Sequence, residues 1–231
     1  MKIGIIGAGQ IGGTLTRRLT ALGHEVKVAN SRGPETLSDL ADETGAQAVT
    51  VREAVRGVGL VVVTIPQARV EDLPEDLFAE VPDDVVVVDT GNYYPRHRDG
   101  RIEEIEAGMT ESGWVEHRLG HPVGKAFNNI GAQSLLQTGR PAGSPDRIAL
   151  PVAGDRPADK DLVLGIIDEL GFDGIDAGRL DDSWRQQPGT PVYVADLNAE
   201  GVRRALAEAS RERLPEFTGT AKSPGTFFDP V

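Results

Sequence analysis

The chain opens on an apolar run, Lys2 to Gly7, that ends in glycine and reads as a buried strand. From Ile11 the apolar spacing lengthens. Ile11, Leu15, Leu19 and Leu22 fall on one helical face, and Gly23 supplies a stop. Glu25 to Asn30 alternates through Val26 and Val28 and predicts a second strand. Pro34 suits the first turn of a helix reaching about Thr44, with Gly45 after it. Thr50 and Glu53 have capping-box spacing for a short helix. Leu60 to Thr64 is a further apolar strand stopped by Pro66, Val85 to Asp89 is another ended by Gly91, and Pro122 to Ala126 can add one more.

This alternation of strand and helix predicts an α/β fold, a Rossmann-type doubly wound parallel sheet. Residues 138–146, TGRPAGSPD, read as a loop and a domain boundary. They divide the chain into a nucleotide-binding domain, 1–146, and a smaller C-terminal α/β portion, 147–231, for substrate or dimer contacts. The second portion is expected to hold strands at Ile148 to Ala153 and Phe172 to Asp176. Between them runs a helix from Lys160 to Leu170 with Leu162, Ile166, Ile167 and Leu170 on one face. A last helix is expected from about Asp196 to Arg213, and the tail after Pro215 has too little period to assign.

Composition narrows the partners. The net charge is −12 over 231 residues and the sequence pI is about 4.8, which disfavours nucleic acid and anionic membrane surfaces. There is no cysteine, so thiolate chemistry and disulfides are excluded. His24, His97, His117 and His121 have no ligand spacing, so no metal site is expected. The longest apolar run, Leu60 to Ile65, is too short to span a bilayer. With no leader-like segment ahead of the first strand, the expectation is a soluble cytoplasmic protein.

A phosphate must then be caught by a local device. Gly7, Gly9 and Gly12 form G-x-G-x-x-G, with Ala8, Gln10 and Ile11 between them, directly after a strand and opening a helix. Gly7 permits the tight turn, Gly9 lets a pyrophosphate approach the backbone, and Gly12 lets helix and strand pack closely. The free N–H groups at the helix start attract the pyrophosphate. After the second strand an NAD-selective site normally carries an acid for the ribose 2′-hydroxyl. This chain instead has Asn30, Ser31, Arg32 and Gly33, with Thr36 nearby. Ser31 can donate to a 2′-phosphate and Arg32 can grip it in two places, which selects NADP(H).

Several segments together resemble the NADPH-dependent reductases of the deazaflavin coenzyme F-420. They are GIIGAGQIGGTL at 4–15, ANSRGPETL at 29–37, VVVTIP at 61–66, DTGNYYP at 89–95 and KAFNNI at 125–130. The likeness extends to about Gly189 through PVAGD at 151–155 and DAG at 176–178. The cytosolic domain of the STEAP metalloreductases is similar. The resemblance implies that Thr64, Ile65 and Pro66 line the cofactor and that Asn92 and Tyr93 follow at the next strand. It also implies that Lys125, Ala126, Phe127 and Asn128 approach the nicotinamide. It implies a homodimer, with F-420 or a flavin as second substrate.

Hydride transfer between two such rings needs alignment and dryness more than an acid or base, because the cofactors carry the chemistry. Carbonyl or imine reduction differs in requiring a proton donor. Lys125 and Asn129 stand four apart, the Lys-x-x-x-Asn spacing with which hydroxy-acid dehydrogenases polarise a substrate, so they are the candidate catalytic residues of that second reading. A third reading is a non-catalytic NADP sensor. Trp184 and the Gln186–Pro188 stretch can line the substrate side or pack. Leu197, Leu206 and Leu214 suit core or dimer contact.

Overall fold

The computed structural model describes all residues from Met1 to Val231. Its first half alternates as expected. The elements are β1 (Lys2–Ile6), α1 (Gln10–Ala21), β2 (Glu25–Ala29), α2 (Ser38–Thr44), β3 (Gln47–Ala48), α3 (Val51–Ala54), β4 (Leu60–Val63) and β5 (Val86–Asp89). Then come α4 (Glu103–Glu106), α5 (Glu111–Leu119), β6 (Gly124–Lys125) and α6 (Ala132–Gln137). The C-terminal part holds β7 (Ala149–Val152), α7 (Pro157–Glu169), β8 (Asp173–Asp176) and α8 (Ala199–Glu208). The predicted helix after Pro34 is split, with a 3₁₀ turn at Pro34–Leu37 preceding α2. The capping box is present: the Thr50 side chain accepts from Glu53 N while the Glu53 carboxylate accepts from Thr50 N.

Six strands form one parallel sheet in the order β3-β2-β1-β4-β5-β6. The order reverses between β1 and β4, and at that switch point the carboxyl ends of the strands leave a crevice for a ligand. The all-apolar runs IGII and LVVV are buried on both faces, with Ile3, Ile5, Leu60 and Val62 on one side and Ile6, Val61 and Val63 on the other. Helices cover both sides, as a doubly wound sheet requires.

β7 and β8 form a separate two-stranded parallel sheet. It joins the large sheet by one antiparallel bridge in which Lys125 and Ala153 exchange both backbone hydrogen bonds, at 2.8 and 3.1 Å. The expected boundary near 146 falls in a loop, yet the hydrophobic core crosses it. Leu15, Leu19 and Val88 from the first part share one cluster with Leu150, Ile166, Ile167 and Phe172 from the second. The last helix is shorter than predicted. It begins at Ala199 after an Asn198 cap and ends at Glu208, because Ala209 turns extended. The chain thereby swings round so that Arg213 reaches Glu111, 3.5 Å away, and stacks on Tyr93. No helix is long and apolar enough to cross a membrane.

Candidate functional site: a dinucleotide cleft at the sheet switch point

The three glycines of the first turn play different parts. Gly7 has φ +110, and a Cβ there would meet the Thr64 carbonyl oxygen at 2.2 Å and Ile65 Cγ2 at 2.9 Å. A Cβ on Gly12 would lie 1.9 Å from the Gly7 oxygen and 2.7 Å from Thr64 Cγ2. These two glycines therefore let α1 seat against β1 and the end of β4. Gly9 has nothing within 4 Å of its Cβ position and is exposed. It is the N-cap of α1, with no side-chain cap and no acid in the first turn. The leading N–H groups of a twelve-residue helix thus face open space beside a bare backbone, which suits a pyrophosphate.

The turn after β2 is ordered by Asn30. Its Oδ1 accepts from Arg32 N at 2.9 Å and its Nδ2 donates to Thr36 Oγ1 at 2.9 Å. Thr36 Oγ1 in turn donates to the Gly33 oxygen at 2.8 Å. Gly33 has φ +96, which a side chain would strain. This leaves Ser31 and Arg32 exposed at the tip. Arg32 makes no ion pair, and only its backbone N–H is engaged.

Both turns open onto one cleft of about 750 Å³. Ala8, Gly9 and Gln10 line one part, Arg32 and Thr36 another, and Gly131 to Gln133 at the head of α6 close a third. Thr14 and Arg17 of α1 complete the wall. The residues of α6 carry no sequence signal, since Leu135 is the only buried member of that helix. Arg17 resembles any solvated helix arginine until α2 is folded beside it.

Thr64, Ile65, Pro66 and Asn92 are half-buried at the carboxyl ends of β4 and β5; Thr64 and Ile65 lie against Gly7, and none of the four lines this cleft. Other expected contacts lie elsewhere. Tyr93 is 0% exposed, and its hydroxyl accepts from Ile102 N and donates to Glu106 Oε1. It is a core residue, and burial holds its phenol well above the usual range. Ala126 and Phe127 are also in the core, Phe127 with φ 61. Asn128 is buried in an amide network, donating to Asn92 Oδ1 at 3.0 Å and to the Gln186 oxygen at 2.6 Å.

Lys125 corrects the expectation most sharply. It is 0% exposed, and its ammonium donates to the Gly91 oxygen at 2.9 Å and to Ser112 Oγ at 3.2 Å. Glu111 Oε2 lies 3.4 Å away and Asp89 Oδ2 3.8 Å away. Every donor is committed inside the protein, because an isolated ammonium at this depth would be neutralised or expelled. Burial raises the pKa of Glu111, and Lys125 acts against that rise. Lys125 and Asn129 thus form no outward-facing catalytic pair. Asn129 is buried with its Oδ1 unpartnered. Trp184 is half-buried between the guanidinium groups of Arg185 and Arg211. Gln186, Gln187 and Pro188 are buried, Leu197 and Leu206 join a small core, and Leu214 is exposed.

Residues 2–93 match the family described as NADP oxidoreductase coenzyme F420-dependent, a span that holds the glycine turn, the Ser-Arg tip and both strand ends. Over these residues, about two fifths of the chain, the protein is similar to that family. The protein YjhV of Escherichia coli strain K12 is 42% identical over 79 residues, covering 32% of this chain and 58% of YjhV, less than two thirds of that protein. A hypothetical protein from Sinorhizobium meliloti superposes with TM-score 0.72 at 29% identity, covering 86% of this chain and 95% of its own. A structure described as an F420-dependent NADP reductase from Arthrobacter sp. FB24 gives TM-score 0.59 at 24% identity, covering 78% and 85%. The last supports the fold alone.

Proposed function

We propose that this protein is an NADP(H)-dependent oxidoreductase that exchanges hydride with a flavin-like coenzyme, the deazaflavin F-420 first. The observation that carries the reading is the shared cleft. The bare backbone of Gly9 and the unpaired guanidinium of Arg32 open onto the same volume, one suited to a pyrophosphate and the other to a 2′-phosphate.

NADPH supplies the hydride when bound, and the chain's own residues hold and orient it. The N–H groups at the start of α1 hold the pyrophosphate. Ser31 and Arg32 take the 2′-phosphate, and Thr36, whose hydroxyl donates to the Gly33 oxygen, holds the turn that presents them. Thr64, Ile65, Pro66 and Asn92 are assigned to the nicotinamide end because they follow the carboxyl ends of β4 and β5, where doubly wound sheets bind ligands. Transfer to a second ring then depends on stacking and on exclusion of water. The burial of Lys125 favours this reading over carbonyl reduction, because that chemistry would need the ammonium at the substrate.

The test is turnover of NADPH against a panel of acceptors, followed by nicotinamide and deazaflavin absorbance. Oxidation of NADPH with F-420 or a flavin supports the proposal. Turnover only with a ketone or imine overturns the acceptor assignment, and tight binding without turnover overturns the enzymatic reading in favour of a sensor.

A further inference from the structure

Arg17 belongs to no motif, yet its placement is unusual for a surface arginine. Helical side chains lean toward the helix N-terminus. Arg17 leans back so far that a Cβ on Gly13 would lie 3.3 Å from its Nη1. The missing side chain at Gly13 leaves room for this, and the guanidinium comes to rest on the wall of the dinucleotide cleft. Its Nε and Nη2 grip the two carboxylate oxygens of Glu43, in the last turn of α2, at 2.6 and 2.7 Å. The two side chains remain 41% and 52% exposed, so solvent screens the pair and little holds it closed. A planar guanidinium that holds a carboxylate at two points is equally shaped for two phosphate oxygens.

The charge of the cleft points the same way. Its wall carries Asp39 and Glu43, and the Glu35 carboxylate crowds Gly33 beside the Ser-Arg tip. Arg32 alone would face these acids with a dianionic guest between them. A second cation removes that imbalance, and Arg17 is the other arginine on the wall.

We propose that Arg17 is a second cationic contact for the cofactor's 2′-phosphate and that Glu43 is its resident counter-ion, displaced when the phosphate arrives. The proposal rests on the NADP reading above. A phosphate monoester carries about −1.5 to −2 charges at pH 7 and outcompetes a single carboxylate for the same fork. Glu43 would then hold Arg17 in place before the cofactor binds and weaken the binding of every guest that must replace it.

Calorimetric titration of the full chain separates the possibilities, using wild type, Arg17→Ala, Arg17→Lys, Glu43→Gln and the Arg17→Ala/Glu43→Gln double variant. The probes are NADPH, NADH and adenosine 2′,5′-bisphosphate. Arg17→Ala is expected to weaken NADPH and the bisphosphate by about tenfold, and NADH by less than about threefold. Arg17→Lys, which keeps the charge without the fork, is expected to fall between. Glu43→Gln is expected to tighten NADPH by about threefold or more, and the gain should vanish in the double variant. If Arg17→Ala weakens NADPH by less than about threefold, or weakens NADPH and NADH equally, the 2′-phosphate contact is overturned while NADP binding stands. If Glu43→Gln brings no tightening, the counter-ion role is overturned. A wild-type protein that binds neither nucleotide overturns the NADP reading itself.

Discussion

Gly9 and Gly12 stand three residues apart in one turn, and they respond oppositely to an added methyl group. At Gly12 the new Cβ would sit 1.9 Å from a backbone oxygen, so β1 and α1 must separate. Gly12→Ala is expected to cost about 3 kcal/mol or more, read from a urea melt. At Gly9 the methyl meets nothing, and φ −73 suits alanine. Gly9→Ala should change stability by about 1 kcal/mol or less while weakening NADPH and NADH alike by about tenfold. Arg32→Asp acts on one nucleotide only. It should cost NADPH about 1–3 kcal/mol of binding and leave NADH nearly unchanged, and equal loss for both would remove the 2′-phosphate role. Gly9 and Arg32 were legible because their chemistry is local: a turn needs its glycine, and a strand end presents the residues next in the chain. Tyr93 and Lys125 were not, because adjacent sequence does not say which way a side chain at a strand end turns.

Among the elements, those with an apolar period were readable and those whose buried face is partly polar were not. α5 buries Glu111 and Ser112 in its first turn ahead of Trp114, Val115 and Leu119, so its apolar stripe is cut short and hard to find. That polar turn meets Lys125 on β6 and Asp89 on β5, and the three elements are joined through the ammonium. Lys125→Met removes the ammonium and leaves two buried acids facing each other, with Arg213 as the remaining cation beside Glu111. It should cost about 3–5 kcal/mol in equilibrium unfolding, and Lys125→Met/Glu111→Gln should lose less than Lys125→Met alone. The four-residue α3 lies at the other extreme. It is fastened by the Thr50 and Glu53 capping box that its spacing announced, and Thr50→Ala should cost about 1 kcal/mol.

At the scale of the molecule, acid sensitivity arises from many exposed acids with partners. Glu43, Glu53, Asp76 and Glu103 have pKa values held down mainly by side-chain hydrogen bonds, from Arg17, Thr50, Arg52 and Arg101 respectively. A depressed folded pKa means that the unfolded chain binds more protons, so this contribution is present above the unfolded carboxylate range near pH 4 and is lost as pH falls through the folded values. Against it stands the net charge of −12, whose self-repulsion relaxes as pH drops toward the pI of about 4.8. Thermal melting should therefore hold or rise slightly from pH 7 to about 5 and fall steeply below about 4. A melting temperature that declines steadily from pH 7 would show that the paired acids do not dominate.

The sequence by itself determined the glycine turn, the Ser-Arg tip and the parallel sheet. Each rests on near-neighbour rules: which residues tolerate a turn, which runs bury on both faces, and which side chains come directly after a strand. Only the tertiary structure decided that Lys125 is an internal counter-ion. It also brought Arg17, on the first helix, to the cleft through Glu43, and carried one core across the presumed boundary at 146. These depend on desolvation and on pairing between residues far apart in the chain. Whether a charge can be buried is fixed by the partners that folding brings to it, and no spacing along the chain encodes them.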